Sequence, residues 1–375
     1  MSLISLELRS EITAAGQLRL SLEEREVTAP RPDEVIVRVE AAPINPSDLS
    51  EFLGPVDLET LTSGGTTERP ITTGTVPERL VPLSRARAGK PLALGVEGAG
   101  VVVEAGSNTQ ELLGKVVSAG SGRMYTQYRK LQAAEVYPFP DGVTPQQGAS
   151  AFVNPLTALG MLSTMRLESH SALVHTAAAS NLGRMLNKLC MADDVPLVNV
   201  VRSTEQEEIL RGIGATHVVN STGPDFRAQL TNAIADTGAT LAFDAVGGGP
   251  LAGQILTAME TALVANGPVI GPYGSAVHKQ VYIYGRLDLS PTTMPASVGM
   301  AWGVGGWLLP YHLGRIGPEH TQRLRARVAD EITTTFASSY AREVSLAEAI
   351  NPDVVRGYRR MATGEKYLLR PHAET

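Results

Sequence analysis

Between residues 172 and 246 the chain alternates between two hydrophobic periods, and that alternation narrows its possible folds more than any other feature. A short apolar run at 172–175 leads into 181–192, where Leu182, Met185, Leu186 and Leu189 fall on one face of a helix. Strand signals follow at 196–201 and 217–220, helix signals at 204–212 and 225–235, and further strands at 241–246, 264–270 and 280–285. Repeated β-α units at this spacing predict a doubly wound parallel sheet covered by helices on both faces.

The flanks have a different texture. Before residue 145 the apolar runs at 18–22, 34–40 and 99–104 are short and bounded by Pro, Gly or Asp, which predicts a β-rich region. Val35 to Val39 alternate after the turn Pro30-Arg31-Pro32-Asp33, as in a strand with one wet face. Residues 60–75 are rich in Thr, Ser and Gly, and Pro77 and Pro82 follow. A connection this long, running from 52 to 90, predicts a mobile excursion, a lid or a surface loop. A helical region at 144–166 opens on Thr144-Pro145, a cap followed by a first-turn proline. Beyond Leu289 the pattern is helical to 317 and again over 318–332, with strands at 335–340 and 367–370 and a helix between them that stops at Gly364. A length of 375 residues fits two cores. The expected arrangement is a discontinuous β-rich domain, 1–145 with 301–375, carrying an inserted domain at 146–300.

Composition removes several function classes. Lys+Arg 32 against Asp+Glu 38 leaves a net charge of −6, so no basic field argues for nucleic acid. The apolar stretch 298–311 is broken by glycines and Pro310 and is too short to span a bilayer. Glu7, Arg9 and Glu11 stand where a secretory leader would be apolar, and the expected compartment is the cytoplasm. Cys190 is the single cysteine, which excludes an intrachain disulfide and a Cys-rich zinc lobe.

The loop Ala177-Ala178-Ala179-Ser180-Asn181-Leu182-Gly183 joins the first strand to the first helix of the alternating region. Ala177, Ser180 and Gly183 follow a degraded glycine-fingerprint spacing. Small residues there permit a tight turn, close approach of a pyrophosphate and tight helix–strand packing, and the helix start presents free N–H groups. The same string alone would be a packed turn without a ligand; its place between strand and helix, within the run of β-α units, makes it a candidate dinucleotide site. The second strand ends at Arg202 and Ser203, where an NAD site offers Asp or Glu to a ribose hydroxyl. A guanidinium presents paired donors to a 2′-phosphate and so points to NADPH, although Glu205 and Glu207 lie nearby. Val246 and Gly247 after the fourth expected strand, and Tyr273 and Gly274 after the fifth, occupy the turns where ligands of open α/β sheets bind.

These features together resemble the medium-chain dehydrogenase/reductase superfamily, in its zinc-independent branch of NADPH:quinone oxidoreductases and enoyl reductases. The matching stretches include Ala42-Pro43-Ile44-Asn45-Pro46-Ser47-Asp48, Gly95-Val96-Glu97-Gly98, the 177–183 loop and the tail 358–371. The resemblance implies a GroES-like β-rich domain and a Rossmann domain with an active cleft between them. It places Asn45 in the nicotinamide and substrate pocket, with Asp48 as its structural companion. It puts Thr157, Ser180, Asn181, Leu182, Arg202, Tyr273 and Gly274 on cofactor contacts. Cys190 lies within a helix and no His occurs early in the chain, so no zinc is expected. The implied reaction is hydride donation to a quinone. The alternatives are an enoyl-CoA or enone (2-alkenal) reductase and a weakly catalytic, redox-sensing NADPH-binding protein. The family's enoyl reductases carry a proton-donating tyrosine soon after the Asn45 stretch, and here Phe52-Leu53-Gly54-Pro55-Val56-Asp57 contains none.

Trp302 and Trp307 are expected in core or interface packing, and His170, His175 and His278 in structural or surface positions. The apolar strand 280–285 is expected at a sheet edge, where the resemblance implies a homodimer.

Overall fold

Six strands form a wholly parallel sheet in the inner part of the chain: β1 (Leu173–Thr176), β2 (Leu197–Val201), β3 (His217–Asn220), β4 (Leu241–Asp244), β5 (Lys279–Ile283) and β6 (Trp302–Gly306). The computed structural model describes residues 3–267 and 271–373. Strand order is β3-β2-β1-β4-β5-β6, the doubly wound order. Val174, Val198, Ala242 and Val281 are buried in one apolar cluster with Leu230, Ile255 and Met259 of the helices Phe226–Thr237 and Leu251–Asn266. Burial on both faces is why these strands read as unbroken apolar runs. Asn154–Leu324 form one compact unit around this sheet, and Met1–Val153 with Arg325–Thr375 form the other.

The second unit holds two antiparallel-rich sheets. One runs Asp57–Gly65, Pro70–Thr75, Gln17–Val27, Leu3–Ile12, Leu92–Ala93 in spatial order. In the other, Glu34–Pro43 pairs with Gly98–Ala105, Tyr128–Gln132 and the tail strand Tyr367–Leu369. The register Leu368 to Pro43 joins the two ends of the chain in one sheet. Leu8, Leu20, Val37, Phe52, Tyr125 and Leu369 belong to the shared core.

Several expectations need correction. The 60–75 stretch is a hairpin rather than a lid or loop, its strands Asp57–Gly65 and Pro70–Thr75 lying in the five-stranded sheet. β-Branched threonines favour strands, and Thr62 meets Thr73 across the ladder at 3.0 Å while Leu61 and Thr72 are buried. The helix expected at 144–166 is two helices, Pro145–Gly148 and Val153–Leu167. The strand expected at 264–270 is helical through Asn266, and 268–270 lie outside the described residues. A short apolar run does not separate a strand from the end of a buried helix. The segment 280–285 is no edge, because β5 pairs with β4 on one side and β6 on the other. The edge on that side is β6, drawn from a stretch expected to be helical; Gly303, Gly305 and Gly306 disfavour a helix there. Helix Leu309–Asp330 is kinked at Gly317, whose φ of 79° precedes Pro318. Near the tail the strand is Arg342–Val344 rather than 335–340.

Candidate functional site

The loop between β1 and the helix Asn181–Ala192 is bent by Ala177, a non-glycine residue at φ 50°. That backbone is costly for an L side chain and is held by the surrounding turn. Ser180 caps the helix by accepting from the Gly183 N–H at 3.1 Å. A Cβ at Gly183 would strike the Ala178 carbonyl, so only glycine allows this close helix–strand contact. Ala178 is buried, and Leu182 is half-buried at the helix start. The Asn181 carboxamide donates to Asn154 Oδ1 at 3.1 Å, and Thr157 is buried one turn beyond Asn154. The loop, the start of the helix and this small-residue packing form a cradle that suits a pyrophosphate.

Arg202 is exposed just beyond β2, and Ser203 caps the next helix by accepting from Gln206. The Gln206 side chain accepts from the Arg202 backbone N–H at 3.1 Å. Among the described residues the Arg202 guanidinium enters no ion pair, in keeping with a site for an anionic group.

Two residues missed in the sequence organise the tips of β1 and β4. Thr176 donates its hydroxyl to Asp244 Oδ1 at 2.7 Å and accepts from the Ala245 N–H at 2.8 Å. The buried Asp244 carboxylate also accepts from Val246 and Gly247. Val246 and Gly247 thus lie in a turn locked by a carboxylate, and a Cβ at Gly247 would crowd the Gly285 carbonyl. Ile283, Tyr284, Gly285 and Arg286 line, together with Val304, Gly305, Gly306, Trp307 and Leu308, an open groove of about 610 Å³ at the carboxyl ends of β5 and β6. His175 is fully buried, stacks on Tyr284 and meets its hydroxyl through Nε2 at 2.8 Å. Burial pushes the imidazole down to about 3, so it is neutral.

Tyr273 and Gly274 do not belong to this group. They precede β5, at its amino end, and the turn containing them is shaped by Glu260. A Cβ at Gly274 would strike Glu260 Oε1, which explains the glycine without a ligand. The turn that follows the fifth strand is Tyr284-Gly285-Arg286, and the apolar run ending at Tyr284 was its signal. Trp307 packs edge-on against Phe243 and donates to Thr164 at 3.0 Å, whereas Trp302 is partly exposed on β6.

In the other unit Asn45 is buried. Its carboxamide donates to Glu97 Oε1 at 2.9 Å, and its N–H donates to Asp48 Oδ2 at 2.8 Å. Asp48 also accepts from the Val96 N–H, and Glu97 Oε2 accepts from the N–H groups of Phe152 and Val153. Burial raises Asp48 to about 6, aided by the Glu97 charge and opposed by the two backbone donors. Glu97 is the organising residue here. Its signal was a charged side chain between small ones in Gly95-Val96-Glu97-Gly98. Phe52, at the start of the stretch that lacks a tyrosine, stacks on Tyr358 in the core.

Among the described residues no three His, Cys, Asp or Glu side chains gather as a metal site would require, and Cys190 is buried with its thiol pushed up by burial. No helix among those residues is long and apolar enough to cross a membrane.

Residues 31–141 match the family described as the alcohol dehydrogenase GroES-like domain. The synaptic vesicle membrane protein VAT-1 homolog of Rattus norvegicus is 27% identical over 225 residues, 59% of this chain and 48% of that protein. A mitochondrial enoyl-[acyl-carrier-protein] reductase of Caenorhabditis elegans is 28% identical over 199 residues, 51% of this chain and 49% of that one. The match thus spans about half the length of each of these relatives. A crystal structure of a candidate NADPH:quinone reductase from Mesorhizobium loti superposes with a TM-score of 0.70 at 26% identity, covering 98% of both chains.

Proposed function

Since the chain belongs to the medium-chain dehydrogenase/reductase superfamily, we propose that it is a zinc-independent, NADPH-dependent oxidoreductase that passes hydride to a quinone or a similar electron-poor acceptor. The observation that carries this reading is the Ala177–Gly183 cradle together with Arg202 at the end of the second strand, whose guanidinium enters no ion pair among the described residues. Ala178, Ser180, Asn181 and Leu182 would border the pyrophosphate, with Thr157 behind them. Arg202 and Ser203 would hold the 2′-phosphate, and Val246 and Gly247 would lie against the nicotinamide half. NADPH, when bound, supplies the hydride. Thr176 and Asp244 hold the Val246–Gly247 turn, and within its own unit Asn45 is fixed by the Glu97 network.

Phe52 in the core favours the quinone over the enone. A hydroquinone anion takes its proton from water, whereas the enolate carbon left by reduction of an enone needs a placed donor. Reduction of an enoyl thioester or enone is the second reading, favoured by the likeness to the nematode enoyl reductase. The proposed compartment is the cytoplasm, and the proposed assembly is a homodimer joined along β6, now that 280–285 is interior. The test is loss of NADPH absorbance against a panel of quinones, enals and enoyl-CoA compounds without added metal. Turnover of quinones supports the reading. Tight NADPH binding with no turnover of any acceptor would instead make the chain a redox-sensing binding module.

A further inference from the structure

Among the described residues Arg286 is the single charged one lining the groove at the carboxyl ends of β5 and β6. Val304 and Leu308 supply apolar walls, and Gly305 and Gly306 supply bare backbone. A Cβ at Gly306 would meet nothing within 4 Å, so the strand end is open where a flat ring could lie. Arg286 is exposed and enters no ion pair among the described residues. The nearest acidic residue in sequence, Asp288, is turned elsewhere. Its Oδ1 accepts from the Ser290 N–H at 2.7 Å, and its carboxyl group lies against the turn at Gly248, where a Cβ would come within 2.8 Å of it.

A neutral acceptor filling this groove would strip water from the guanidinium and return no partner, which is unfavourable. A carboxylate offers two oxygens to the planar fork and offsets that loss. Resting on the reductase reading above, we infer that the acceptor carries a carboxylate held by Arg286, with its unsaturated ring over the glycine end of β6. The substrate class is thereby an acidic, planar quinone or enone rather than a neutral one.

The experiment compares 1,4-naphthoquinone with its 2-carboxylate, using wild type, Arg286→Gln and Arg286→Lys, with NADPH titrated in each. The expected result is that the kcat/KM ratio of carboxylated over neutral quinone falls about tenfold or more in Arg286→Gln and is partly restored in Arg286→Lys. An unchanged ratio overturns the inference. So does a rise confined to the KM for NADPH, which would give the guanidinium to the cofactor's phosphates. If wild type reduces neither quinone, the reductase reading fails and binding decides the inference separately. Calorimetric affinity for the carboxylate, measured with NADP+ present, should then drop about tenfold in Arg286→Gln. Equal affinity for both proteins overturns the inference even so.

Discussion

Lys279 Nζ lies 2.6 Å from Glu260 Oε2, and both side chains are buried beneath the turn that carries Tyr273 and Gly274. The other Glu260 oxygen accepts from the Ser275 N–H at 2.8 Å, and Gly274 and Gly299 both pack against the carboxylate. A turn rich in glycine is thus explained by an ion pair at the foot of β5, remote in the strand direction from the groove at its head.

Removing one partner leaves a buried charge without compensation. Glu260→Leu or Lys279→Met is expected to destabilise the protein by about 3–5 kcal/mol. The double variant Glu260→Leu with Lys279→Met should recover a large part of that loss. Denaturant midpoints for the three proteins check this, and additive losses in the double variant would refute the pairing.

Asp48 makes stability depend on pH in a defined direction. Its folded value is about 6 against an ordinary 3.8, so the folded chain holds the proton more tightly than the unfolded one. The stability of wild type relative to Asp48→Asn should therefore fall as pH rises from about 4 to about 6, and level off above. The total change is on the order of 2–3 kcal/mol. Urea unfolding of both proteins across that window reads it directly, and a flat difference would reject the raised value.

Arg202→Ala is expected to weaken NADPH about tenfold or more while affecting NADH far less, because only the former carries the 2′-phosphate. Fluorescence titration with both nucleotides measures the ratio. Equal losses would remove Arg202 from the phosphate site.

β6 is one of the two edge strands of the parallel sheet, with Met300, Trp302 and Val304 exposed along or beside it. Unprotected edges pair. Trp302→Arg is expected to shift the chain from dimer to monomer in sedimentation at micromolar concentration. A wild-type protein that sediments as a monomer would discard the dimer.

The strand, small-residue turn and capped helix from Leu173 to Ala192 were legible because they occur in one continuous stretch. The position of Arg202 just past the next strand was legible for the same reason. Asp244 stood in view as an acidic residue before glycines, but its bond to Thr176, 68 positions earlier, is a tertiary fact. Glu97 reaches Asn45 across 52 positions and Val153 across 56, and no local pattern encodes either contact.

From sequence alone came the periodicity of the β-α units, the cap and turn chemistry of the 177–183 loop, and the composition that leaves a single cysteine. Each depends on neighbours within a turn or a strand. Tertiary structure decided which apolar run becomes the fifth strand, which strand is left at the edge, and whether the 60–75 stretch pairs into a sheet. In each case the local sequence permits two states of similar energy. The choice falls to burial against distant residues, as with Thr72 and Leu61 in the hairpin and Glu260 beneath Gly274.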